Sequence, residues 1–318
     1  MADSELQALL AELDDPSNLS WRDETYSIDR VSELDTAERS LYVRRLIGLA
    51  EHGDEKAMLS LGALKVPEAV DPLLRYSKAN GTRASYARRA LVWLGHGQAV
   101  IDDIAKDALT SPAMSVRAAA VLNLGELGGP VAMDALDKCL DDSDSVVRAM
   151  AADGLIKLFH IERFTRDVDG QTDLTTPLER MKLVLSSEIP ALASVGANEL
   201  RTVIHALRQG AMPETVGLQL VKTMPEALSD RIGPALADET TTLPVEEIAA
   251  VSGQQRQWAE AILAFGLERQ DARIPPALAQ LDARWTLPAL DSLAETSDPG
   301  DFRDAVEAAR RALSSPPN

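Results

Sequence analysis

Apolar residues between positions 111 and 158 recur with the period of an α-helix. From Ser115, the residues Val116, Ala119, Ala120, Leu124 and Leu127 fall three or four apart and predict one buried stripe. Gly128, Gly129 and Pro130 then end one helix and open another, because glycine supplies a left-handed cap and proline suits a first helical turn. The second helix turns Val131, Leu136, Cys139 and Leu140 inward, and the loop Asp141-Asp142-Ser143-Asp144 sets carboxylates at the start of the next helix. A hairpin this short cannot cover its own apolar face, so the pattern predicts that it stacks on copies of itself.

The copies are visible as a period. Val116-Arg117-Ala118 returns as Val147-Arg148-Ala149, 31 residues later. Leu61-Gly62-Ala63-Leu64 matches Leu124-Gly125-Glu126-Leu127 at a separation of 63, with Leu94-Gly95 between them. Ala69-Val70-Asp71-Pro72-Leu73 matches Ala132-Met133-Asp134-Ala135-Leu136 at the same separation of 63, with Asp102 between. Repeats of this length signal stacked helical hairpins. The register resembles the HEAT-repeat family, in particular the short HEAT-like units of bilin-lyase-type proteins, over about residues 35–158. The resemblance implies an all-α fold, a right-handed α-solenoid of antiparallel helix pairs in the armadillo/HEAT manner.

Taken in order, residues 1–34 are expected to cap the array, with Trp21 and Tyr26 packing on the first full hairpin or forming a hook for a partner. Regular repeats follow over 35–159, and an irregular linker over 160–176. Asp167, Asp169, Gly170 and Asp173 partly imitate a calcium loop, but Thr165 and Thr176 stand where the cation needs carboxylates, which favours a solvated loop. Residues 177–318 read as divergent helical repeats that continue the same solenoid, with helices expected at 177–187, 190–208, 213–228, 245–251, 257–268 and 276–283. Near the end, Phe302-Arg303-Asp304-Ala305 resembles Val147-Arg148-Ala149-Met150.

Composition supports the helical reading. Aromatic residues make up 4% of the 318 positions and β-branched runs are scarce. The single cysteine, Cys139, excludes an internal disulfide and suits a buried thiol in a reducing, cytoplasmic setting. The acidic, amphipathic start has neither a basic leading region nor an apolar core, so neither a signal peptide nor a membrane span is expected. The formal charge is −18, and its distribution is uneven. Residues 1–60 carry 14 acids and 6 bases, 61–160 carry 12 and 11, and 161–318 carry 24 and 15. Such a field opposes long nucleic acid and permits a basic protein partner, or it serves solubility.

One cluster departs from the repeat. Aligned on Leu94-Gly95, Trp93 takes the column of Ser60 and Asn123, while Arg88 and Arg89 take those of Ala118 and Ala119. Arg89 and Trp93 are four apart and can stack as cation and ring. Arg75, Tyr76, Lys78, Arg83 and Tyr86 lie just before them. Two readings compete: a partner-binding hot spot of Trp93, Arg89, Arg88, Arg75 and Tyr86, or packing of Trp93 between repeats with arginines solvating an outer face. Arg117 and Arg148, which repeat beside loop aspartates, read instead as a structural ladder.

Catalytic patterns do not emerge. His52, His96, His160 and His205 are dispersed, and no HExxH, GxSxG, phosphate loop or zinc knuckle is present. No catalytic residue, metal or cofactor is therefore expected. The function the sequence favours is a non-enzymatic scaffold or adaptor that binds a protein partner, a basic one on the charge argument. The bilin-lyase resemblance implies an alternative, an accessory subunit handling a prosthetic group or modified protein. A helical-repeat DNA glycosylase is the remaining alternative, opposed by the acidic balance.

Overall fold

The computed structural model describes residues 2–15, 25–79, 81–161, 181–182, 184–211, 226–238 and 240–315. Among these residues the regular structure is helical, with no strand. Two compact units divide between Cys139 and Leu140. Trp21, the calcium-like loop and most of the expected linker lie outside the described residues.

The first unit begins with α1 (Ala2–Asp14), which packs on α2 (Thr36–Glu51). Leu9 and Leu13 are buried there, and Ser27 donates from its amide and hydroxyl to Glu12 at 2.8 and 2.7 Å. Tyr26 is buried against the first hairpin: its amide donates to Ser60 Oγ at 2.9 Å and its hydroxyl to Asp54 Oδ2 at 3.1 Å. The polar residues that the chain sets between helices act as caps. Asp35 accepts from the amides of Ala37 and Glu38 while Glu38 accepts from the amide of Asp35, closing a capping box on α2. Asp54 caps α3 (Glu55–Ala63) in the same way, through the amide of Ala57.

The remaining helices are α4 (Val70–Ser77), α5 (Thr82–Trp93), α6 (Ile101–Thr110), α7 (Met114–Leu127) and α8 (Gly129–Cys139). They form two layers. In one, α5 packs between α3 and α7; in the other, α2 meets α4 and α6 meets α8. Close approach in the first layer rests on small residues: a methyl group on Gly62 would lie 2.8 Å from the Cα of Ala90. Gly128, with φ of 63°, ends α7 and Gly129, with φ of 84°, opens α8, at the break the sequence predicts. Val116, Ala120, Leu124, Leu136 and Cys139 are buried, but Val131 is 40% exposed and not part of the core. The inward stripe of α7 is also wider than one face, because Ala118, Val121 and Asn123 are buried too, α7 being packed on α5, α6 and α8.

The second unit contains α9 (Ser145–Leu158), α10 (Pro190–Arg208), α11 (Glu226–Ala237), α12 (Val245–Ala250), α13 (Gly253–Ala264), α14 (Ile274–Gln280), α15 (Leu287–Thr296) and α16 (Asp301–Ser314). Its core includes Leu155, Trp258, Leu263, Leu290 and Val306. Helix α10 has the bounds expected from its opening proline, whereas α11 runs through Gly233 and Pro234, which the sequence reading took as a place without helix. Proline removes one amide and crowds the preceding turn, yet tertiary packing of the buried Ile232 and Ala235 keeps the helix whole. Helix α13 starts at Gly253, four residues before the expected start, and ends at Ala264.

Candidate functional site

The site is built on α5, whose sequence divides cleanly into two faces. Ala84, Ala87, Ala90 and Leu91 are fully buried and let the helix sit close to its neighbours. Tyr86, Arg89 and Trp93, spaced by three and four, share the half-buried outer face. The Arg89 guanidinium carbon lies 4.9 Å from the centre of the Trp93 ring, a cation over an aromatic face. Lys65, which follows α3, donates from Nζ to the Trp93 carbonyl and so joins the end of α3 to this stripe. On α7, the adjoining helix of the layer, Leu122 is 42% exposed.

The five residues proposed as anchors do not lie together. Arg75 is exposed on α4, in the other layer, where it pairs with Glu51 at 3.4 Å beside Tyr76, whose hydroxyl donates to the Glu51 carbonyl. Arg88 is 4% exposed. Its Nη2 donates to the carbonyls of Ser77 and Ala79 at 2.6 and 3.1 Å, and its Nη1 to Asp107 of α6. Arg88 thus holds the end of α4 and α6 to α5 from beneath the outer face. Tyr86, Arg89 and Trp93 remain as one surface.

Arg88 shares this task with the arginines read as a ladder. Arg117 and Arg148 donate from Nη1 to the carbonyl six residues upstream, Ser111 at 3.0 Å and Asp142 at 2.7 Å. Arg303 does the same toward Ser297 at 3.4 Å, which gives its sequence likeness to Arg148 a structural meaning. In each case a guanidinium satisfies carbonyls of the loop that precedes its helix. Arg88 acts from one turn further along its helix, and this shift hid the equivalence. The alignment through Leu94-Gly95 is corrected as well: Gly95 lies beyond α5 at φ 83°, as Lys65 lies beyond α3 at φ 55°, whereas Gly62 and Gly125 are inside helices. Trp93 ends α5 in the place where Ala63 ends α3.

Charge is divided between the layers. Helices α3, α5 and α7 carry five bases and two acids, Glu55 and Glu126, whereas α2, α4, α6 and α8 carry six bases and eight acids.

The second unit holds a cleft of about 690 Å3 lined by Arg231, Thr240, Thr241, Glu247, Arg273 and Gln280, which no sequence pattern announced. Its arginines are already engaged. Arg231 pairs with Glu247 at 2.5 Å, and Arg273 binds Asp271 at 2.6 Å while donating to the carbonyls of Thr241 and Ala235. The Arg273 guanidinium holds the Asp271 carboxyl below its ordinary pKa, against the opposing effect of burial. Among the described residues no group of three or more His, Cys, Asp and Glu is placed to hold a metal ion, and no helix is long and apolar enough to cross a membrane.

No curated protein matches the chain. A family model for HEAT repeats matches residues 80–156, the stretch that contains α5, α6, α7, α8 and most of α9. The match is to HEAT repeats at large and does not select the bilin-lyase type. Residues 80–156 are thus similar to HEAT repeats, and the described helices, stacked in consecutive pairs, form an all-α array of the solenoid kind.

Proposed function

We propose that this protein is a non-enzymatic scaffold that binds a protein partner through the outer face of α5, with Trp93, Arg89 and Tyr86 as anchors. The observation that carries the reading is the Arg89–Trp93 stack on the outer face of a helix whose inner residues, Ala84, Ala87, Ala90 and Leu91, serve packing. Large aromatic and guanidinium side chains presented at fixed pitch are the chemistry of interface hot spots. Arg88 supports that face from within, and Arg75 with Glu51 lies apart from it, on the other layer. The acid-rich stretches 1–60 and 161–318 favour encounter with a partner of net positive charge. The lone, buried Cys139 fits a reducing compartment such as the cytoplasm.

The test is an affinity capture from native extract with the wild-type chain and an Arg89→Ala/Trp93→Ala double variant, read by mass spectrometry. A protein captured by the wild type and lost from the variant, with the thermal midpoint largely retained, supports the scaffold. Equal capture by both, or a variant that unfolds, would mean that Trp93 serves packing.

A further inference from the structure

The cleft of the second unit sorts its polar groups by kind, with donors committed inside the protein and acceptors left over. Arg231 pairs with Glu247, while Arg273 turns Nε and Nη2 to Asp271 at 2.9 and 2.6 Å and Nη1 to the Thr241 carbonyl at 2.8 Å. The threonine hydroxyls are committed as well. Thr240 Oγ1 donates to Asp238 Oδ1 at 2.7 Å and Thr241 Oγ1 to Asp238 Oδ2 at 3.2 Å. These bonds, those from Thr240 foremost, hold the Asp238 carboxyl below its ordinary pKa, so it stays ionised and only accepts. Each hydroxyl therefore has lone pairs, and no hydrogen, to offer an occupant.

Glu246, in the first turn of α12, lines the same cleft and is exposed, and no hydrogen bond or ion pair engages it among the described residues. The two arginine–carboxylate pairs cancel, which leaves the charges of Glu246 and Asp238 in excess. Apolar lining comes from Leu243, Pro244, Val245 and Ala277. Deepening the reading that the partner is basic, and resting on it, we infer that this cleft seats an arginine side chain of a basic partner segment, its guanidinium on the Glu246 carboxylate and its stem on the apolar lining. A guanidinium carries five donors and no acceptor in a planar fork that matches a carboxylate, and its methylenes lie readily on apolar surface. An anion would meet a carboxylate and lone pairs where it needs donors. The volume of about 690 Å3 is ample for such a side chain.

The experiment uses the full chain and a fluorescein-labelled peptide of alternating Arg and Ser, with its Glu-for-Arg counterpart as control, titrated by fluorescence polarisation. The basic peptide is expected to bind, and the acidic one to bind at least about tenfold more weakly. Glu246→Gln should weaken the basic peptide by about fivefold and Glu246→Lys by about tenfold. Glu126→Gln, which removes an exposed carboxylate of α7 in the first unit, should leave it unchanged. Tighter binding of the acidic peptide would overturn the inference in favour of an anion held by Arg231 and Arg273. Equal losses from Glu246→Gln and Glu126→Gln would overturn it too, since the general field of an acidic chain would then suffice. The two readings fail separately: native capture lost on Arg89→Ala/Trp93→Ala but indifferent to Glu246→Lys removes the cleft and leaves the scaffold, whereas capture lost on Glu246→Lys alone removes the α5 face and leaves the cleft.

Discussion

Both units join helices through close approach at glycine and through reaching arginines such as Arg88 and Arg148, and the two kinds of contact leave different traces in the sequence. In the first, the helices approach through small residues, with Gly62 facing Ala90 and a row of alanines along the inner side of α5. In the second, long polar side chains reach far along the chain. Arg148 donates to the carbonyls of Leu185 at 3.1 Å and of Ser187, Ser187 in turn donates to Glu268, and Glu260 accepts from Arg256 and from the Trp285 indole, each at 2.8 Å. Small residues must recur wherever helices touch, so they print a period in the sequence. A long side chain can find its partner 25 or 81 residues away and leaves no period.

The ladder arginines should separate the units most strongly. Arg148→Ala strands three carbonyls, those of Leu185 and Ser187 buried and that of Asp142 half-buried, and should cost about 3 kcal/mol in urea unfolding followed by Trp258 fluorescence. Arg88→Ala should cost about the same in the first unit, because Asp107 and the carbonyls of Ser77 and Ala79 lose their donor, while the pair Arg88→Met/Asp107→Leu should recover only the part due to Asp107. Arg117, half-buried, should cost about 1 kcal/mol. If all three gave equal losses, burial would not be what distinguishes them.

A close-packing change should be felt next. Gly62→Ala forces a methyl group against the backbone of Ala90 and should cost about 2 kcal/mol, seen as an earlier transition of the Trp93 signal with that of Trp258 unmoved. Coincident shifts of both signals would show that the units unfold as one.

Opposite ends of the pH scale should then divide the molecule. Burial, followed by the charge of Asp54, raises the pKa of Tyr26; burial, followed by that of Glu12, raises the pKa of Tyr42. Their contribution is complete below the unfolded tyrosine value of about 10 and is lost as pH rises past it. Asp271 is depressed, chiefly by its hydrogen bond from Arg273, so its contribution is present above the unfolded carboxylate value of about 4 and is lost as pH falls through the folded one. Alkali should loosen the first unit first, and acid the second, in thermal melts read at each tryptophan.

The smallest effect belongs to Tyr42→Phe. The Tyr42 hydroxyl is buried with no hydrogen-bond partner among the described residues, so its removal should change stability at neutral pH by less than about 0.5 kcal/mol. It should also reduce the alkaline sensitivity. A loss of several kcal/mol would point to a buried water bound there.

How much of the site could be read beforehand follows from the same contrast. The i, i+4 spacing of Arg89 and Trp93 sufficed for their stack, because helix geometry alone sets it. Nothing in the local sequence separated Arg88 from Arg89, two adjacent residues of one type. One points into the junction of α4 and α6 and is 4% exposed; the other lies on the outer face. Arg75 looked like a neighbour in sequence and proved to sit on the other layer, since α4 and α5 belong to opposite sides of a hairpin.

By itself the sequence determined the helical class, the cap at Asp144, the break at Gly128-Gly129 and the stacking of hairpins, all of which depend on residues within a few positions of one another. Only the tertiary structure decided which arginines are buried, how charge divides between the layers, and that α11 survives Pro234. Those outcomes depend on what packs against each side chain from elsewhere in the chain, and hydrophobic burial and carbonyl satisfaction at such distances have no local signature.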